Sequence, residues 1–418
     1  MLHRNARYSV IQAALGAVAL NLSNQFVGIY AVKLGANNLQ LGYLSSWPQM
    51  VSVVSVLVIA GAVARSASKQ RLIAAIYLLG RLATILLAMV NWLPTQLRVW
   101  ALIISWVLVI FPTSAAGNAL SSFLADVFPA SERARSFASR NSWGTAAGTA
   151  TILISGWLLD LVFPYPLGYQ IMFVGSFLVA LVETYYFLKL KEPDLPVKQE
   201  RPKATPGGFR AYLETFRHKP FLTFVLVSIP FHFTWQMAWP MFTRFQVTDL
   251  GATNSWLSYI SVAQSLSMIV SYPIMARLAE RHGNKWVLAW SGLNLATAPA
   301  LCAAVADIRI QVLLNLWTGI GVAGVNLLVL NSLLEVSPSE NRTVYLAVHT
   351  ALVSVSAAVA PLVGASLMDM FPTQVALGSA SGPRLLTTMG FFLLVYLERR
   401  QQGKKQAKEN SHTGAPAV

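Results

Sequence analysis

The chain has 418 residues, of which 55% are hydrophobic and 11% charged, and 31 Lys+Arg against 16 Asp+Glu give it a net charge of +15. That is more apolar side chain than a soluble fold buries, which argues against a soluble enzyme. A nucleic-acid partner would need the basic charge gathered on one soluble face, and it is instead scattered between apolar blocks.

The apolar residues fall in runs of roughly 20 to 27, the length that crosses a ~30 Å hydrocarbon core at 1.5 Å per residue. Helices are expected near 8–31, 39–63, 71–92, 99–126, 137–160, 167–190, 220–245, 254–280, 285–306, 309–335, 343–369 and 376–399. His3, Arg4 and Arg7 precede a first run too long for a signal sequence and followed by no small-residue cleavage pattern, so that helix is expected to be retained. With the termini inside, 25 Lys+Arg fall on the cytoplasmic side. Only Lys33, Arg98, Arg244, Arg309 and Arg384 fall outside. This asymmetry orients the chain with both termini cytoplasmic.

Taken in order, the first helix carries Asn21, Asn24 and Gln25, the third Arg81, the fourth Trp106, Ser114 and Asn118, and the sixth Glu183. The seventh has His232, Trp235, Gln236 and Trp239 between Pro230 and Pro240, which free backbone carbonyls and predict a kink. The tenth holds Asn315 and Asn326. Asn21 and Gln25, Ser114 and Asn118, and His232 and Gln236 are i,i+4 pairs, so each pair shares a helix face. Polar groups inside a bilayer need a partner or a water-filled cavity, and any single amide is equally well read as an interhelical hydrogen bond. Small residues Gly144, Gly148 and Gly156 in the fifth helix, with Ala357, Pro361 and Gly364 in the eleventh, mark close helix contacts. Cys302, the only cysteine, falls in an apolar span as packing. Arg384 interrupts the twelfth helix and is expected to snorkel to the outer surface.

The hydrophilic stretch 191–219 falls at the midpoint and reads as a linker between a first half, 1–190, and a second, 220–400. A polar tail, 401–418, is expected to be disordered. At an offset of 209 residues Asp126, Pro129, Arg133 and Asp160 fall on Glu335, Pro338, Arg342 and Asp369. At an offset of 216, Leu34-Gly35-Ala36, Asn38, Leu41, Tyr43 and Ser45 fall on Leu250-Gly251-Ala252, Asn254, Leu257, Tyr259 and Ser261. The fold class is therefore an all-α integral membrane protein of twelve transmembrane helices in two six-helix halves related by pseudo-two-fold symmetry.

The second-half run Ala276-Arg277-Leu278-Ala279-Glu280-Arg281-His282-Gly283-Asn284-Lys285 is similar to the Gly-x-Leu-Ala-Asp-Arg-x-Gly-x-Lys loop of the major facilitator superfamily, with Ala for the first Gly and Glu for Asp. The first-half copy keeps Arg65 and Lys69 but has Ala64 in the acid's place. On these residues and the repeat, the chain resembles that family over nearly its whole length.

The resemblance implies alternating-access transport of a small solute driven by an ion gradient, with protons the expected ion. It also implies that the first, fourth, seventh and tenth helices line the cavity. That makes Asn21, Asn24, Gln25, Trp106, Ser114, Asn118, His232, Trp235, Gln236, Trp239, Asn315 and Asn326 the cavity candidates. It further implies a cytoplasmic gate in which Glu280 faces the start of the fifth helix, near Phe137 to Arg140, with Arg65, Lys69, Arg133, Arg135, Arg281, Lys285 and Arg342 around it. The glycine- and proline-rich signature of drug/proton antiporters in the fifth helix is not matched by Gly144-Thr145-Ala146-Ala147-Gly148, so efflux has little support from that motif.

Of the ionisable groups inside the spans, His232 is the first coupling candidate, because an imidazole changes charge near physiological pH, with Glu183 and Arg81 after it. There is no Walker loop, metal-spaced His/Cys cluster or Ser-His-Asp set, so neither an enzyme nor a cofactor is expected. The expected partners are the lipid bilayer, the solute and protons, with no nucleic acid, and the chain is expected to act as a monomer. The competing reading is a transport-inactive receptor or scaffold that keeps the fold.

Overall fold

The structure, a computed structural model, describes residues 2–66, 68–190, 209–338 and 342–413. Among these residues the apolar runs form twelve long helices. The first half comprises α1 (Leu2–Lys33), α2 (Asn38–Arg65), α3 (Lys69–Met89), α4 (Thr95–Val127), α5 (Ala130–Leu161) and α6 (Leu167–Leu188). The second comprises α7 (Lys219–Asp249), α8 (Asn254–His282), α9 (Asn284–Ala304), α10 (Ile308–Val336), α11 (Arg342–Met370) and α12 (Thr373–Arg400). Ten are long and apolar enough to cross a membrane. The other two, α2 and α5, pack against α11 and α8 of the opposite half.

The local chemistry sets where the helices begin and end. Pro94, Pro129 and Pro372 stand immediately before α4, α5 and α12, their fixed φ preorganised for a helix start. Gly35 and Gly251, equivalent in the repeat, have φ of +86° and +61° and let the chain turn out of α1 and α7, a backbone that side chains with a Cβ rarely adopt. At the start of α2 the Asn37 carboxamide accepts from the Gln40 backbone (2.8 Å) while Gln40 accepts from the Asn37 backbone (3.0 Å), a reciprocal cap.

The symmetry is visible in the packing. In the first half α1 packs on α5 and α6, α3 on α4 and α6, and α2 on α4; in the second α7 packs on α11 and α12, α9 on α10 and α12, and α8 on α10. The halves meet through α2 with α11 and α5 with α8, again a symmetric pair. One apolar core is built mainly from the first half, with Phe26, Tyr30, Trp106 and Phe173, and takes in Leu257 and Ile260 of α8, while Phe221, Phe231, Leu288 and Phe391 belong to a core within the second half.

Three details differ from the sequence expectation. α7 does break, but only at Ala238, just before Trp239-Pro240, while Pro230 sits within a continuous helix. Helix continues past Arg400 to Thr413 rather than giving way to a disordered tail, through residues such as Gln401, Lys404, Lys405 and Ala407 that favour helix.

Arg384 does not snorkel. It is 1% exposed, and its guanidinium donates to the carbonyls of Leu295 (3.0 Å), Thr234 (3.0 Å) and Trp235 (3.2 Å). The break in α7 leaves carbonyls at the negative end of a helix segment, within reach of a long cation that then needs no water.

Candidate functional site

Within the first half a polar cluster sits between α1, α3, α5 and α6. Gly16 has no Cβ, and the space it leaves is filled by Glu183: a methyl there would lie 2.6 Å from Oε1. Gln12, one turn earlier on the same face, donates through Nε2 to Glu183 Oε1 at 2.7 Å. Gln12 Oε1 accepts from Arg140 Nη1, which also reaches the carbonyl and hydroxyl of Ser9, both at 3.3 Å.

Gln12 therefore stands between a cation and an anion. Glu183 Oε2 is buried with no hydrogen-bond partner. Arg81, 1% exposed, donates to the Tyr77 hydroxyl (3.2 Å) and does not form an ion pair with Glu183, although Tyr77 and Glu183 line the same cavities. The larger of these has a volume of 460 Å³ and is lined by Gln12, Gly16, Tyr77, Arg140, Asn141, Thr145 and Glu183 among others.

The second half carries a counterpart. His232 Nδ1 faces the Ser228 carbonyl at 2.7 Å, and His349 Nε2 meets the Ser228 hydroxyl at 3.1 Å. The two rings lie 5.8 Å apart, edge to face, at a 210 Å³ cavity that Asn326 and Thr350 also line. At the repeat offsets Gln12 falls on Ser228 and Arg140 on His349. The same helix–helix contact thus carries Gln–Arg in one half and Ser–His in the other.

The halves are joined on the side of the α1–α2, α5–α6, α7–α8 and α11–α12 turns. Asp160, at the end of α5, accepts from the backbone of Asn254 (3.0 Å), its carboxamide (2.7 Å) and the backbone of Ser255 (2.7 Å) at the start of α8. The symmetric Asp369, at the end of α11, accepts from the Asn38 carboxamide (2.8 Å) at the start of α2. Anions at helix N-termini are favourable, so each contact draws a helix end of one half onto the other.

Below them Gln25 donates to Ser261 (2.7 Å). Tyr169 also donates to the Asn254 carboxamide, and Gly42 and Gly156 allow α11 and α8 to approach. On the side of the termini Glu280 is exposed and has no ion pair among the described residues, and Arg281 and Arg342 are also exposed. Lys285 pairs instead with Glu398 of its own half, at 2.7 Å.

The other residues singled out in the sequence are spread more widely. Asn21 donates to Ala17 (2.9 Å) on its own helix against Gly148, and Asn315 to Gln311 (2.9 Å). Asn24 is exposed, one turn beyond Leu20, which lines the larger cavity. Trp106 is in the first-half core, Ser114 and Trp235 are half-buried, Gln236 is buried with Oε1 unpartnered, and Trp239 is exposed.

Lys69 is half-buried, while the side chains of Arg65, Asn118, Arg133 and Arg135 lie outside the described residues, as does most of the linker. Cys302 is buried as packing. Gln12, Tyr77, Asn141, Thr145, His349 and Thr350 were not anticipated. The signal for Gln12 was a lone amide within the first span, and for His349 its repeat relation to Arg140.

Comparison with known proteins matches this architecture. By shape the chain is similar to a variant of the nucleoside transporter NupG (TM-score 0.77, 12% identity, covering 93% of this chain and 99% of that one). It is also similar to a bacterial homologue of the lysosomal transporter Spinster in an inward-facing, unoccupied conformation (0.66, 12%, 93% and 94%). A bacterial homologue of the iron transporter ferroportin, inward-facing, is comparable (0.69, 12%, 94% and 98%). At these identities the likeness is one of fold. No curated protein matches by sequence. The family model of the Major Facilitator Superfamily matches residues 10–243 and 224–417, and with its two six-helix halves the chain belongs to that superfamily.

Proposed function

We propose that the protein carries a small solute across the cytoplasmic membrane by alternating access, driven by a proton gradient, with both termini in the cytoplasm. The observation that carries this reading is Glu183: a carboxyl deep among the helices, at a polar cavity that Tyr77 also lines, with one oxygen held by Gln12 and the other without a close hydrogen bond among the described residues. Intramembrane carboxyls of this kind mark proton relays, because a bare charge there is costly and a proton removes it. Oε2 is the atom on which that proton would reside. The latch on one face of the protein, and Glu280 on the other with no ion pair among the described residues, support the reading of a state closed outside and open inside. The basic excess on the side of the termini gives the same orientation. In the opposite state Glu280 meets the start of α5.

The test is a pH-sensitive dye trapped in proteoliposomes to which candidate solutes are added. Solute-dependent proton movement is expected in the parental protein and its loss in Glu183→Gln, with solute exchange retained. His232→Gln, whose Nδ1 is already engaged by its own helix, is expected to keep proton movement. Proton movement at the parental level in Glu183→Gln refutes the assignment.

A further inference from the structure

We propose that the solute is a small organic anion and that its negative group, a carboxylate or a phosphate, is held by Arg140 in the 460 Å³ cavity. The inference rests on the transport reading and names its substrate class.

The first observation is the unused capacity of Arg140. A guanidinium presents five N–H donors in a planar fork. Among the described residues only Nη1 is engaged, by Gln12 and Ser9, while Nε and Nη2 have no protein partner and are not buried away from solvent, at a cavity that the side chain lines. The engaged nitrogen fixes the plane of the fork. The two open nitrogens are the geometry that matches the paired oxygens of a carboxylate or phosphate.

The second is the balance of charge. Among the described residues the interior of the bundle holds three guanidiniums, Arg81, Arg140 and Arg384, against one carboxylate, Glu183. Arg384 is committed to three carbonyls, and Arg81, which donates to Tyr77 through Nη2 and leaves Nε and Nη1 buried without partners, does not line the 460 Å³ cavity. Glu183 is kept from Arg140 by the intervening Gln12. Arg140 is thus the one of these three cations that lines the cavity, with Glu183 one residue removed behind Gln12 and no carboxylate in direct contact among the described residues. An anion compensates it, a neutral solute leaves it unpaired, and a cation adds to the repulsion.

The third is size and polarity. The volume falls in the range of small-molecule sites, and Asn141, Thr145 and Tyr77 supply further polar atoms beside Arg140. In the other half Arg140's counterpart is His349, so the strong cationic recognition belongs to the first half alone.

The experiment uses the purified full-length protein in thermal unfolding. The probes are acetate, lactate, benzoate, succinate, inorganic phosphate and glycerol phosphate, with lactamide, benzamide and the corresponding amines, all at one ionic strength. The expected result is a saturable rise in melting temperature with one of the anion groups, the carboxylates or the phosphates, and none with the amides or amines.

Arg140→Lys, which keeps the charge but loses the fork, is expected to raise the half-saturating concentration at least about tenfold. Arg140→Gln abolishes the rise, and Arg309→Gln, at an exposed site, leaves it unchanged. Stabilisation by amides or amines equal to that by anions, no stabilisation by any anion, or a parental response in Arg140→Gln each overturns the proposal.

Counterflow in proteoliposomes separates it from the transport reading. Arg140-dependent anion binding without flux refutes transport and leaves the site, whereas undiminished flux of a neutral solute through Arg140→Gln refutes the site and leaves transport.

Discussion

Replacing Asp160 by Ala removes three hydrogen bonds that cross between the halves, two from backbone amides at the start of α8 and one from the Asn254 carboxamide. Asp160 is only half-buried, so about 1 kcal/mol is taken for each bond, the ordinary value and below the roughly 1.5–3 kcal/mol of a fully buried charged partner. The latched state then loses about 2–3 kcal/mol, or about 30- to 150-fold in its population ratio to the state open on that side. Asp369→Ala removes one such bond, for about 0.5–1.5 kcal/mol and about 2- to 12-fold.

The assay is a pair of spin labels at Trp92 and Met370, both strongly exposed on the latched side and in opposite halves, in a Cys302→Ser background. Pulsed dipolar spectroscopy should show a longer distance growing to a major population in Asp160→Ala and a smaller one in Asp369→Ala. An unchanged distribution in Asp160→Ala, or a larger effect from Asp369→Ala, refutes the latch.

Gly156→Val places side-chain atoms against Ser258 and Asn254 of α8, so it should populate the same long distance without any change of charge. Gly16→Ala forces Glu183 off its seat, 2.6 Å from the new methyl, and solute-driven proton movement in liposomes should fall while the melting temperature changes little. Arg384→Met leaves the carbonyls of Leu295, Thr234 and Trp235 without their donor, at a cost of about 2–4 kcal/mol, and should lower the melting temperature by several degrees; an unchanged melting curve would remove the arginine from the scaffold of α7.

The twelve helices and the two halves were legible because each rests on a local signal: apolar runs of membrane length, turn glycines repeated at Gly35 and Gly251, and a proline-bearing midpoint linker. The chemistry of the site was less so. Asp160 and Asp369 stood out as a repeated pair, but which helix end each would meet depends on how the halves pack, and no spacing along one helix encodes that. Arg140 lies near the start of α5 and so reads as a gate charge, whereas its side chain turns back toward α1 and α6. Gln12 gains its meaning only from Glu183, 171 residues away. Arg384 was misplaced for a related reason: the carbonyls that receive it are exposed by a break in another helix.

The repeat also separates what the fold needs from what the solute needs. The elements kept in both halves, the turn glycines, the Asp at the end of α5 and α11, and the Asn at the start of α2 and α8, all act where the halves close on each other. A rocking transporter requires that contact to be balanced about its axis. The elements that differ act where a ligand would sit: Gln12 and Arg140 against Ser228 and His349, and Glu183 against Phe392 at the same offset. The polar chemistry therefore departs from symmetry, with a fixed cation and a carboxyl at the cavity of the first half and two imidazoles at the separate cavity of the second.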